Sequence, residues 1–251
     1  MFDAVIVAGS PNTGPLRECS DMPYEAMIRI GGKPMVRYVV DALLESGLIH
    51  SIAIAGPVEM KEIFPEEQVT VVQAGGEIVE NAVKAMSYID NTRPVLIVTS
   101  DIPLLTAEAV RNFISLCGDR DADFYYPIVS MDMAEERYPG VSRTSAKLKE
   151  GTFTGGNLFL VNPAAVPLCA DRAREFVKNR KSPLKLCRLL GFKFIFKLLF
   201  NRLTIPELQK KVSEILGIMV KAVITDFPEI GIDVDKPSDY ILVNAYLDKP
   251  A

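Results

Sequence analysis

The chain has 251 residues, is 49% hydrophobic and 24% charged, and carries a formal net charge of −4. That profile fits a single α/β domain spanning 1–251 with one elaboration, large enough to bury a core without disulfide staples. Its four cysteines (Cys19, Cys117, Cys169 and Cys187) are scattered and form no CxxC pair, so reduced thiols in a cytoplasmic protein are expected instead of a zinc site or a disulfide frame.

Asp3 to Ala8 is a short apolar run ending in Gly9 and reads as a buried parallel strand. Because it begins almost at the first residue, no signal peptide is expected, and the chain has no run of about 18 apolar residues that would read as a membrane span. Residues 34–46 carry Met35, Val36, Val39, Val40, Leu43 and Leu44 at helical spacing, with Pro34 suited to the first turn and Gly47 to the stop. The only histidine, His50, reads as a surface turn residue, so the chemistry must rest on carboxylates, lysines, glycine-rich backbone and metal. Strands are predicted at 51–55 and 69–72, a helix at 78–88, a strong strand at 94–99, a helix at 107–116 and a strand near 123–127. This alternation predicts a Rossmann-like, mainly parallel sheet flanked by helices, with ligands beyond the carboxyl ends of the strands after Ala8, Val72 and Thr99. Further on, glycine-rich 151–157 leads into a strand at 158–161, and the pattern from about 163 to 216 is helical, which marks a helical insertion at about 165–220. Strands at 221–225 and 230–234 and a helix at 238–247 close the chain.

Several residues in the predicted loops carry chemistry. Gly9 follows a strand and lets backbone N–H groups approach a ligand, but the loop lacks both the P-loop spacing and GxGxxG. Gly31-Gly32-Lys33-Pro34 places a lysine at a helix entrance, where anionic oxygens are favoured. Asp101, in Ser100-Asp101-Ile102-Pro103, stands beyond a fully apolar strand with no core partner, and Thr106 is the better cap for the helix that follows. Carboxylate oxygen at such a point suits a hard divalent cation. Asp233 and Asp235 alternate across Val234, so they share a face and could complete a clamp with Asp101.

In this order the pieces resemble the MobA-like NTP transferase family of GT-A-type nucleotidyltransferases. The matching stretches are Val7-Ala8-Gly9, Gly32-Lys33-Pro34-Met35, Gly76-Glu77 with Asn81-Ala82, Ser100-Asp101-Ile102-Pro103, Gly155-Gly156-Asn157 and Asp233-Val234-Asp235-Lys236-Pro237. The resemblance implies Mg²⁺ held by Asp101 and Asp235, with Asp233 in reserve, and Lys33 and Arg17 acting on phosphates. It also implies nucleotide contacts from Ala8, Gly9, Ser10, Gly14, Gln73, Gly76, Asn81 and Ser100, and acceptor contacts from Gly155, Gly156 and Asn157. The implied partners are an NTP (GTP or CTP first) and a phosphorylated acceptor, joined with release of pyrophosphate. The first loop departs from the family's G-G-x-G-x-R: it is longer, contains Pro11, and brings its arginine only at position 17. Two rivals stand beside this reading. A glycosyltransferase would want DxD where this chain has Ser100-Asp101-Ile102, and a nucleotide-binding protein without turnover would fit the altered loop.

Residues 172–202 hold ten Lys/Arg and one acid, a local charge of +9 against −13 for the rest of the chain. Three roles are open for this insertion: an interfacial helix on anionic lipid, a basic lid over the acceptor, or a helical pair packed on the core or on a second subunit of a homodimer. Nucleic acid is not expected, because the aromatic residues sit in an apolar stripe and the remaining surface is acidic.

Overall fold

The computed structural model describes residues 1–65, 67–179 and 191–248. Its strands are β1 (Phe2–Val7), β2 (Arg29–Ile30), β3 (Lys33–Pro34), β4 (Ile49–Gly56), β5 (Val69–Gln73), β6 (Val95–Thr99), β7 (Phe124–Ser130), β8 (Ser145–Leu148), β9 (Gly151–Gly155), β10 (Leu158–Val161) and β11 (Val220–Thr225). The helices are α1 (Met35–Glu45), α2 (Ile78–Met86), α3 (Ala107–Leu116), α4 (Met131–Arg137), α5 (Val166–Asn179), α6 (Phe192–Leu199), α7 (Ile205–Leu216) and α8 (Pro237–Leu247).

Nine strands form one sheet in the order β5-β4-β1-β6-β10-β7-β9-β8, with β11 on the free edge of β7. β1 lies between β4 and β6 and pairs parallel with both. From β1 the chain steps outward through β4 to β5, then returns to place β6 on the other side. Strand order therefore reverses between β1 and β6, and a crevice opens beyond their carboxyl ends. Alternate side chains of β1 serve the two faces. Ala4 and Ile6 pack with Val36, Val39, Val40 and Leu43 of α1 and with Val110 and Phe113 of α3. Val5 packs on the opposite face with Ala82, Ala85 and Met86 of α2. This two-residue period is why a strand covered on both sides reads as an unbroken apolar run.

The second half departs from the parallel pattern. β10 runs antiparallel between β6 and β7, and β9 continues it along β7 in the same antiparallel sense. The two strands are one chain segment bent at Gly155-Gly156. Gly156 donates its N–H to the Pro127 carbonyl (2.9 Å), and a Cβ there would stand 2.6 Å from Ile230 and 2.8 Å from the Pro127 ring. The bend is therefore a place of close approach that a side chain would block.

Several predicted boundaries shift. The strand expected at 230–234 is a 3-10 turn, Pro228–Gly231, followed by irregular backbone. Pro228 offers no ladder N–H and Gly231 lies against the Gly155 carbonyl, which together favour a turn over a strand. His50 is exposed but sits inside β4, not in a turn. Lys33 and Pro34, read as a helix entrance, form a two-residue hairpin with Arg29 and Ile30 before α1 begins. The glycine-rich stretch 151–157 is itself strand as far as Gly155. Thr106 caps α3 as anticipated, accepting from the Ala109 N–H at 3.1 Å. Cys19, Cys117 and Cys169 are free thiols, whereas Cys187 and the middle of the basic insertion, 180–190, lie outside the described residues. Among the described residues no helix is long and apolar enough to cross a membrane.

Gly156→Ala is expected to destabilise the fold by about 1–3 kcal/mol through overpacking against Ile230 and Pro127. Thermal melting should show a loss of several degrees. Gly75→Ala, where an added Cβ meets nothing within 4 Å, should melt as the wild type does.

Candidate active site

The crevice beyond β1 and β6 is closed by a segment from the far end of the chain. Asp101 follows β6, and its carbonyl accepts the Val234 N–H at 2.9 Å. Val234 and Ile232 are buried with Leu16, Ile28, Ile30, Met35, Leu104 and Val243, an apolar cluster that joins the first loop, the β2–β3 hairpin and α8. With these two side chains pointing inward, Asp233 and Asp235 face the crevice. Upstream, the turn Pro228–Gly231 is fastened by buried Glu229, which accepts from the Thr106 hydroxyl (3.3 Å) and lies 3.6 Å from Arg137. The cap of α3 thus also fixes the approach to Asp233.

Asp101, Asp233 and Asp235 each offer a carboxylate oxygen, and these oxygens all lie within 4.8 Å of one another. A set of three hard oxygen donors fits a divalent cation of the Mg²⁺ type. Burial is the main reason the Asp101 carboxyl is held above the ordinary aspartate range; the Thr99 hydroxyl, which donates to its Oδ1, opposes that shift, and the charge of Asp235 adds to it. Glu25 also titrates above the ordinary glutamate range, through burial first and then the charges of Asp101 and Asp235. It is a further carboxylate turned toward the cluster. Glu25 stands there because the chain from 10 to 24 folds back on itself: its own N–H donates to the Ser10 carbonyl, and Asn12 Nδ2 donates to the carbonyls of Ser20 and Met22.

A guanidinium enters this acidic group. The Arg143 guanidinium is ion-paired with Asp233, and both side chains are only 14% exposed. Burial lowers the arginine's pKa, while Asp235, Asp101 and Asp239 oppose that shift. Next to the pair is a cavity of about 320 Å³ lined by Ser142, Arg143, Thr144, Asp233, Asp235, Lys236 and Asp239. Neither Glu25 nor Arg143 has a local signature in the sequence. Each lies in a loop whose path is set by long-range packing.

The remaining predicted residues fall into three groups. Ser10, Gln73 and Gly76 are exposed, and they follow or flank the carboxyl ends of β1 and β5. Gly9 is pressed against Ala74, where an added Cβ would stand at 2.6 Å, so the two loops touch. Asn81 is buried and clamps the second loop, accepting from the N–H groups of Gly75 (3.0 Å) and Gly76 (3.2 Å) and donating to the Gly76 carbonyl (2.8 Å). Ala8 and Ser100 are buried beneath these loops, and Gly14 faces the Glu25 carboxylate. Gly155, Gly156 and Asn157 form the strand bend. Asn157 is tied on one side to Ile230 and on the other to Thr99, and its Nδ2 is buried with no protein acceptor.

Lys33 and Arg17 are not brought into the acidic cluster. The Lys33 ammonium sits on Asp41 at 2.7 Å and over the Tyr38 ring at 4.4 Å. Arg17 is exposed and turns back to the Asp21 carbonyl at 2.9 Å.

A raised carboxyl pKa means that the folded chain holds the proton more tightly than the unfolded one. Its stabilising contribution is present at low pH and is lost as the pH rises from the ordinary aspartate value through the raised one. Arg143 offsets this loss, so Arg143→Gln should cost about 3–5 kcal/mol near pH 8, as for a broken buried pair. The deficit should shrink as the pH is lowered toward about 4, the ordinary carboxylate value, and carboxylates take up protons. Denaturant titrations at both pH values measure this, and a deficit independent of pH would mean that Arg143 acts by packing alone.

Comparisons with known proteins bear on the family and the fold. A hypothetical transferase from Thermus thermophilus superposes with a TM-score of 0.82 at 35% identity, covering 96% of this chain and 100% of that one. The bifunctional IspDF from Campylobacter jejuni (TM-score 0.59, 11% identity, 96% of this chain and 53% of that one) shares the fold. So does 4-diphosphocytidyl-2C-methyl-D-erythritol synthase from Anaerococcus prevotii DSM 20548 (TM-score 0.57, 13% identity, 99% of each chain). The MobA-like NTP transferase domain matches residues 24–185, a span that includes Asp101. With that match over more than half its length, the chain belongs to the MobA-like NTP transferase family of nucleotidyltransferases.

Proposed function

We propose that the protein transfers a nucleoside monophosphate from an NTP to a phosphorylated acceptor, releasing pyrophosphate, with Mg²⁺ held by Asp101 and Asp235. The observation that carries this reading is the convergence of three carboxylates beyond β6, at the reversal of strand order. Asp233, already paired with Arg143, is the reserve ligand. When bound, the cation would neutralise charge on the phosphate oxygens of the nucleotide. The acceptor's own phosphate oxygen is the nucleophile, so no histidine base is required, in keeping with a chain whose single histidine lies exposed in β4.

The protein's own groups then bind and orient. Backbone from Ala8 to Ser10 and from Gln73 to Gly76 flanks the crevice and is suited to the nucleotide. The cavity beside Arg143 is suited to the acceptor. Arg143 and Lys236 supply positive charge for its phosphate, and Ser142, Thr144, Asp235 and Asp239 supply polar partners for the remainder. Among the described residues no aromatic side chain lines that cavity, which favours a polar, hydroxyl-bearing acceptor over a flat ring system that would stack. GTP and CTP are the first nucleotides to try. A protein that binds nucleotide without turnover is the second reading, favoured by the engagement of Lys33 with Asp41.

Pyrophosphate release should be measured with each NTP, Mg²⁺ and a panel of phosphorylated acceptors. Turnover is expected with one pair, and Asp101→Asn or Asp235→Asn should lower it by roughly 100-fold or more. Calorimetric titration with Mn²⁺ should show binding that Asp101→Asn abolishes. If one NTP binds tightly but no acceptor supports pyrophosphate release, the transfer reading is wrong and the second reading stands.

A further inference from the structure

The Arg143–Asp233 pair stands inside the group of carboxylates that the proposed chemistry assigns to a cation. Asp233 lies with Asp101 and Asp235, their oxygens within 4.8 Å of one another, and one of its own oxygens is taken by the guanidinium. Arg143 is an incomplete fit for a permanent strut. Its Nε is buried and has no acceptor among the described residues, whereas a buried guanidinium kept for structure places its donors on acceptors. Nor does it serve Asp233 alone, since the charges of Asp235, Asp101 and Asp239 act on it as well. The backbone that carries it is fastened on both sides. The Val141 N–H donates to the Tyr138 carbonyl (3.1 Å), and the Thr144 carbonyl accepts from the Thr154 hydroxyl (3.0 Å). The side chain, by contrast, borders the cavity of about 320 Å³. It can turn while the fold stays as it is.

We propose that Arg143 contends with the divalent cation for Asp233: it holds the third carboxylate until the cation binds, then gives it up by turning toward the cavity. This rests on the reading of Asp101 and Asp235 as cation ligands. An arginine that only orients a ligand stands behind it, away from the metal, and answers to that ligand. Arg143 instead answers to the other two carboxylates as well, so it occupies the side from which a shared cation would be held. A guanidinium and a divalent cation brought to one carboxylate from the same side repel, and a partly buried site screens that repulsion weakly. Turning relieves it, and the Ser142 and Thr144 hydroxyls beside the cavity are acceptors of the kind that Nε lacks. Turned that way, the guanidinium fork is free for the phosphate of the acceptor. Binding of the cation and of the acceptor phosphate then favour each other, each making the same side chain available to the other site.

The test is a double-mutant cycle read by calorimetric titration with Mn²⁺ alone, using the full chain as wild type, Arg143→Gln, Asp233→Asn and the double variant. Arg143→Gln should bind Mn²⁺ roughly tenfold more tightly than the wild type. Asp233→Asn should cost no more than about threefold while Arg143 is present, but roughly tenfold or more in the Arg143→Gln background, where the carboxylate is free to ligate. Three results would each overturn the proposal. Arg143→Gln could fail to tighten binding. It could tighten binding equally in the Asp233→Asn background, in which case the arginine acts by its field alone. Or Asp233→Asn could cost tenfold with Arg143 in place, in which case Asp233 serves both cations at once. Because Arg143→Gln loses stability, melting with and without saturating Mg²⁺ supplies a second readout. The cation should raise the melting temperature of this variant by several degrees more than that of the wild type, or refold the variant if it is unfolded without Mg²⁺. An equal rise in both proteins, or no refolding, would count against the proposal. Mn²⁺ binding that Asp101→Asn leaves unchanged would remove the cation site and this inference with it, whereas binding that needs Asp101 but ignores Arg143 removes this inference alone.

Discussion

Gathering carboxylates around one point is electrostatically uphill, and the architecture of the site follows from holding them there. Two like charges within 4.8 Å repel by on the order of 3 kcal/mol per pair at the effective dielectric of a partly buried site. The repulsion is resisted by covalent and hydrogen-bonded geometry. Asp101 is fixed by its place after β6 and by the bond from its carbonyl to Val234, and Asp233 and Asp235 are fixed by the burial of the two apolar residues that alternate with them. Arg143 then supplies a guanidinium that pairs with Asp233. The resulting potential is negative and directed at the crevice, which is what a site for a hard cation requires.

The same constraint explains why so much of the molecule converges on the apolar cluster beneath the site. Leu16 and Ile28 bring the first loop, Ile30 the hairpin, Leu104 the turn after β6, and Val243 the last helix. The first loop carries Glu25, the turn after β6 carries Asp101 and the last helix carries Asp239, each beside the crevice. The floor is therefore shared, and displacement of any one element is felt by the carboxylates above it. Glu229, Thr106 and Arg137 extend this support to α3 and α4, far from the crevice itself.

What could be read in the sequence was local in character. The helical stripes of α1 and α3, the cap at Thr106, the acid stranded after an apolar strand and the i, i+2 pairing of Asp233 with Asp235 are all encoded within a few residues. What was hidden depends on partners distant in the chain. An apolar run at 158–161 announces a strand but not that it runs antiparallel between β6 and β7. The hairpin of Arg29–Ile30 with Lys33–Pro34 turns Lys33 toward Asp41, eight residues on, where spacing alone suggested a phosphate ligand. Arg143 reaches the site through an irregular loop and Glu25 from the short 3-10 turn Glu25–Met27, and Asn81 also holds the Gly75-Gly76 loop in shape. Pro228 and Gly231 replaced an expected strand by a turn, and without that turn the two late aspartates would not meet Asp101.

The bond between the Asp101 carbonyl and the Val234 amide joins parts of the chain that are distant in sequence. The three carboxylates therefore gather only where β6 and the segment around Val234 have met, and no local piece of the chain carries a version of the site. That segment is irregular backbone outside the strands of the large sheet. A local opening that frees it would disperse the carboxylates while the sheet stays folded, so the competence of the site answers to a smaller free energy than the fold does.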